Sequence, residues 1–114
     1  MTFRLTRDQA EQALDVCRLF PPRTGMYVSP VSWNTVNAFW SGYVSSWPSG
    51  GHRALQEFAT QQLGPSNVVW TWRLYEAHTA GETRDQALDR ERGQEVASVI
   101  CSVIGAFVHK HRDA

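Results

Sequence analysis

The chain has 114 residues, 42% of them hydrophobic and 19% charged, which supports a packed core rather than a disordered chain. That length suits one domain, residues 1–114, with no room for a second. Eleven basic and eleven acidic residues cancel to zero formal net charge. A protein tracking phosphates or an anionic membrane surface would carry a basic excess, so neither nucleic acid nor a membrane is expected as partner.

Thr6-Arg7-Asp8-Gln9 reads as a capping box. Behind it Ala10, Ala13, Leu14, Cys17 and Phe20 recur at helical spacing, and Pro21-Pro22 stops the pattern, so a helix is expected over 7–20. Met26-Tyr27-Val28 reads as a short strand. Ser29-Pro30 signals a helix start, Ser32 offers a second cap, and Trp33, Val36, Trp40, Tyr43 and Trp47 set a helix over 31–46. Ala54, Leu55, Phe58, Ala59 and Leu63 set another over 52–63, stopped by Gly64-Pro65. Val68, Trp70, Trp72 and Leu74 alternate with Val69, Thr71, Arg73 and Tyr75, which favours a strand over 68–75; Ser66 could instead cap a helix. Thr83-Arg84-Asp85-Gln86 repeats the first cap and opens a last helix over 84–110, with Gly93 marking a bend or break. Its second half carries two adjacent apolar stripes, Val96, Ile100, Val103, Phe107 and Ala97, Cys101, Ile104, Val108, as befits a central helix.

The fold expected is therefore mainly α. About four helices pack around the apolar C-terminal one, with a possible small β element (α+β) in which 68–75 pairs with Met26–Val28 or Phe3–Leu5. The alternative is an all-α bundle with 66–79 helical. The longest apolar run, Val96 to Val108, is thirteen residues broken by two serines and a glycine, whereas a membrane span takes about 20. No basic-then-apolar leader pattern opens the chain, so the cytoplasm is the expected location. Cys17 and Cys101 could form one disulfide, but they make neither a framework nor a zinc site. At apolar helical positions they read as small buried hydrophobes. Arg outnumbers Lys ten to one, which reads as coding bias or as a preference for a planar group that pairs and stacks at interfaces.

Two features carry the functional reading. Five tryptophans is high usage, and Trp33, Trp40 and Trp47 are seven apart on one helix face. Core packing is the plain explanation; Trp47 at the helix end and Trp70 or Trp72 are the indoles expected to be partly exposed. Between Arg23 and Arg53 there is no Asp, Glu, Lys or Arg, and the face opposite the tryptophans carries Asn34, Thr35, Asn37, Ser41, Ser45 and Ser46. Such a face is either quietly solvated or meets another surface, since interface centres are depleted of charge. The binding residues expected are Asn34, Asn37, Ser41, Ser45, Trp47, Trp70 and Trp72.

Signals for chemistry are sparse. Arg73 and His78, with Glu76 between them, resemble the Arg-x4-His ribonuclease motif of the HEPN family of small helical bundles. The resemblance implies that Arg73 and His78 bind and polarise a scissile phosphate. It covers two residues; Leu74 follows the Arg where the family has a polar residue, and the pair follows a strand-like segment where the family has a helix start. The plain reading puts Arg73 and Glu76 in solvent and His78 in a loop. His109 and His111 do not share a helix face, so no metal is expected. His52 has no nucleophile or carboxylate beside it in sequence. Ser49-Gly50-Gly51-His52 could hold an anion at a helix start but lacks a phosphate-loop pattern, and no cofactor is expected. The sequence reads best as a small non-catalytic module of inhibitor, immunity or anti-defence type, binding another protein or a second copy of itself. The alternatives are a small-molecule-binding domain using the tryptophans and a small enzyme such as a ribonuclease using Arg73 and His78.

Overall fold

The computed structural model describes residues 3–66, 68–86 and 95–112. The fold is mainly α. The first helix, α1 (Arg7–Leu19), starts at the expected cap: Thr6 Oγ1 accepts from the Gln9 amide at 3.2 Å and Gln9 Oε1 accepts from the Thr6 amide at 2.9 Å. Pro21–Arg23 then forms a 3₁₀ turn and Thr24–Tyr27 a short helix, α2. The strand expected at Met26–Val28 is therefore not formed. Thr24 is fully buried and its hydroxyl donates to the Phe20 and Pro21 carbonyls, which keeps the backbone coiling through Tyr27; only Val28 is extended.

Helix α3 (Trp33–Ser45) begins after Ser32, which makes a reciprocal cap with Thr35. Helix α4 (Gly51–Leu63) follows a tight turn that two glycines permit. Gly50 has φ +102°, a left-handed conformation open to glycine. A Cβ on Gly51 would sit 3.3 Å from Val44 Cγ1 and 3.4 Å from the Trp47 ring, so the start of α4 lies directly on the end of α3.

The segment expected as a strand over 68–75 is instead helix α5 (Trp70–His78), in line with the all-α alternative. Trp70 and Leu74 are one face of a strand and also one face of a helix, so the sequence pattern fits both periods. The burial decides. Trp70, Thr71 and Leu74 are buried, a helical i, i+1, i+4 set, while Trp72, which a strand would bury with Trp70, is 41% exposed. Neither expected partner strand exists: 24–27 is helical, and Leu5 forms an isolated bridge with Arg112, donating its amide to the His111 carbonyl at 2.9 Å. A strand at 68–75 would leave buried backbone groups unpaired, and a helix satisfies them internally. Ser66 caps no helix; its Oγ accepts from the Val68 amide within the loop.

The second capping box forms between Thr83 and Gln86, and residues 84–86 are helical. Residues 87–94, including Gly93, lie outside the described residues, so the expected single helix over 84–110 is described at 84–86 and again as α6 (Glu95–His111). Helix α6 packs against α1, α3, α5 and the Pro21–Arg23 turn. Its buried side chains include Ala97, Ile100, Cys101, Ile104, Phe107 and Val108, drawn from both apolar stripes. Phe107 is the hub of one end: Trp47 stacks on it at 5.8 Å and 10°, and Phe3, Phe58 and His111 also contact its ring. At the other end Phe20, Tyr27, Phe39, Trp40 and Tyr43 form a second aromatic cluster. Among the described residues no helix is long and apolar enough to cross a membrane.

Trp40 is fully buried where α3 meets this cluster. Trp40→Ala should lower the unfolding free energy by about 3–5 kcal/mol in urea denaturation. A loss below about 1 kcal/mol would contradict its place in the core.

Candidate binding surface on α3 and α5

Helix α3 has two opposed faces. Trp33, Val36, Trp40 and Val44 are buried, while Asn34, Ala38, Gly42 and Ser45 are exposed and Asn37 and Ser41 half-buried. Three of the polar residues on the outer face are bonded within it. Ser41 Oγ donates to Asn37 Oδ1 at 3.0 Å, and Ser45 Oγ donates to the Ser41 carbonyl at 2.8 Å. The result is a small-residue surface with no formal charge and few groups demanding water.

The expected indoles divide. Trp47, expected to be partly exposed, is buried at 7% and stacks on Phe107; of the pair Trp70 or Trp72, Trp70 is the buried one, at 1%, held on the inner face of α5. Trp72 alone of the five is exposed. Its ring stands edge-on to Tyr75 at 5.3 Å and 87°, and the Tyr75 ring lies 5.2 Å from buried Trp33 at the start of α3. Two ring contacts thus link Trp72 to α3. Exposed Val68 and Val69 precede it on the chain.

Folding brings together one constellation that the sequence separates. Ser45 Oγ lies 2.9 Å from His52 Nε2, and Trp70 Nε1 donates to His52 Nδ1 at 3.4 Å. Both contacts follow from the glycine turn that lays α4 on the end of α3. An indole nitrogen can only donate, so Nδ1 must be the accepting nitrogen of a neutral ring and Nε2 carries the proton. His52 then donates to Ser45, whose own hydrogen goes to Ser41. A serine nucleophile needs the opposite polarity, with the unprotonated ring nitrogen facing the hydroxyl. The Trp70–His52–Ser45 chain therefore tethers three helices and leaves the hydroxyl unactivated.

Arg73, Glu76 and His78 lie together on α5, so the pair expected to follow a strand sits on a helix. Arg73 and His78 are five positions apart, about 140° around a helix. Arg73 Nη2 donates to the Leu63 carbonyl at 2.6 Å, filling an open acceptor at the end of α4. His78 is half-buried, not a solvated loop residue, with Nε2 3.7 Å from Glu95 Oε2. Glu76 is exposed. The two residues of the HEPN-like motif are thus turned to different partners.

At the start of α4 a cavity of about 660 Å³ is lined by Arg4, Ser49, Gly50, Arg53, Glu57 and His111, among others. Its charge is mixed, because Arg53 Nε pairs with Glu57 at 3.7 Å. Lys110 donates to Gln61 Oε1 at 2.7 Å, and His111 Nδ1 lies 3.1 Å from the Phe107 carbonyl. No group of three potential metal ligands occurs among the described residues. Comparison with protein-family models, curated proteins and solved structures finds no match to the chain.

The polarity of the histidine chain is directly measurable. The ¹⁵N shifts of neutral His52 should show a pyridine-like Nδ1 and a pyrrole-like Nε2, and Ser45 should resist fluorophosphonate labelling. A protonated Nδ1, or labelling at Ser45, would contradict this orientation.

Proposed function

We propose that the chain is a protein-binding module whose contact surface is the outer face of α3 bordered by Trp72. The observation that carries this reading is the exposed Trp72 ring, pre-ordered against Tyr75, in a chain whose helix α3 also presents an outer face without charge. Binding hot spots favour large aromatics, and interface centres are depleted of charge. Trp72 would be the anchor. Ala38, Gly42, Ser41 and Ser45 would let a partner backbone approach closely. The partner's complementary patch should itself be uncharged, because an unpaired charge buried there would be costly. Four of the five indoles are spent on the core, which weighs against a ligand pocket built from tryptophans. The polarity at Ser45 and the separation of Arg73 from His78 weigh against catalysis. We place this activity in the cytoplasm, where free Cys17 and Cys101 are the resting state.

The test compares three proteins. Wild type, Ala38→Arg and Trp72→Ala are used to capture partners from extracts of the cells that produce the chain, and each is unfolded in urea. Ala38→Arg should change stability by no more than about 0.5 kcal/mol and abolish capture of the wild-type partner. Trp72→Ala should weaken capture at least tenfold. If both variants retain the partner while folded, the surface is misplaced. If the species lost is a second copy of the chain, seen as a dimer-to-monomer change in sedimentation, the partner is the chain itself.

A further inference from the structure

The two cysteines are far apart in sequence, yet the packing of α1 on α6 sets them at one level. Leu5 bridges Arg112, and α1 packs along α6, so α1 returns antiparallel to it. Cys17 lies twelve residues beyond Leu5 and Cys101 eleven before Arg112, rises of about 18 and 16 Å along the two helices. Cys17 continues the buried Ala10 and Ala13 stripe of α1, and Cys101 continues the Ala97 stripe of α6. Small residues on both sides let the helices approach closely enough for the two thiols to act as donor and acceptor to each other. Cys101 is buried and Cys17 only partly so.

The surroundings are polar in an unusual way for a core. Trp40 is fully buried, and its Nε1 closes no regular hydrogen bond. Its indole nevertheless faces Cys101 and favours a charged sulfur there. Tyr43 Oη is likewise buried without a partner, and its ring lies 5.2 Å from that of Trp40. The Tyr43 hydroxyl is held above its ordinary pKa by burial and then by the charge of Cys17. Two thiols thus meet beside two unsatisfied polar groups in an otherwise apolar seam.

We propose that Cys17 and Cys101 form an oxidation site for hydrogen peroxide, closing a disulfide between α1 and α6. Cys17 is the attacking thiol, since it is the more exposed. Hydrogen bonding from Cys101 holds it below its ordinary pKa, outweighing the opposing effect of burial. Its thiolate attacks one peroxide oxygen, the O–O bond breaks, and the departing hydroxide takes up the proton released by the Cys17 thiol, so that one molecule of water leaves and Cys17 becomes a sulfenic acid. The Cys101 sulfur then attacks the Cys17 sulfur. The S–S bond forms, the S–O bond breaks, and hydroxide leaves with the Cys101 proton as a second molecule of water. The two sulfurs together lose two electrons, and peroxide is reduced to water. Before this, Cys101 is held far above its ordinary pKa, first by its hydrogen bond with Cys17 and then by burial.

The test uses the reduced full chain, exposed to hydrogen peroxide in its folded state, alkylated and digested with trypsin without reductant. Titratable thiols should fall from two to none, and peptide 8–18 should appear joined to peptide 93–110. In Cys101→Ala, checked for folding by circular dichroism, dimedone should trap a sulfenic acid on Cys17. Two thiols surviving in wild type under peroxide that oxidises a free cysteine peptide would overturn the proposal. So would a disulfide linking two chains through Cys17.

Discussion

Ala10 and Ala13 present only methyl groups to the last helix, and both are fully buried. Their small size lets α1 lie close along α6, and the rest of the fold is arranged around that seam. At one end the Leu5–Arg112 bridge brings Phe3 over Phe107 and Trp47. At the other, Phe20 and the Pro21–Arg23 turn carry the chain across to α3, where Phe20 meets Phe39 and Trp40. A larger residue at position 10 or 13 would force the helices apart and disturb both aromatic clusters together.

Helix α3 is consequently asked to do two things. Its inner face supplies Trp33 and Trp40, each worth about 4–6 kcal/mol of apolar burial at 25 cal/mol/Å² over 150–250 Å². Trp33 Nε1 and Trp40 Nε1 are left without partners, at a cost of about 1–3 kcal/mol each. Burial outweighs that cost, so the indoles remain inside. Its outer face is held by hydrogen bonds among Asn37, Ser41 and Ser45, leaving a surface without charge. On the proposed reading, stability and recognition fall on opposite sides of one helix.

Local chemistry made much of this fold legible. Thr6, Ser32 and Thr83 each cap where the sequence indicates, and the periodicity of α3, α4 and α6 matches their buried faces. Residues 68–75 were ambiguous because Trp70 and Leu74 satisfy both a period of two and one of 3.6 over so short a span. The burial of Trp70, Thr71 and Leu74, and the lack of a partner strand among the described residues, settle it, and both depend on the rest of the chain. The charge-free face of α3 was visible from the residues, whereas the exposure of each indole was not, since it depends on Phe107 and His52 arriving from other helices. The Trp70–His52–Ser45 chain is invisible for the same reason, and the pairing of Cys17 with Cys101 is open to the two cysteines but not decided by their spacing. His52 and the cysteines read singly as unremarkable residues, and the glycine turn and the α1–α6 register are what give them neighbours.

The central claim is that recognition belongs to the outer face of α3. A photo-crosslinking amino acid placed at position 38 on that face, and separately at exposed position 11 on α1, tests it in the cells that produce the chain. The account predicts one discrete protein adduct from position 38 and none from position 11. Adducts from position 11 with none from position 38 would contradict it.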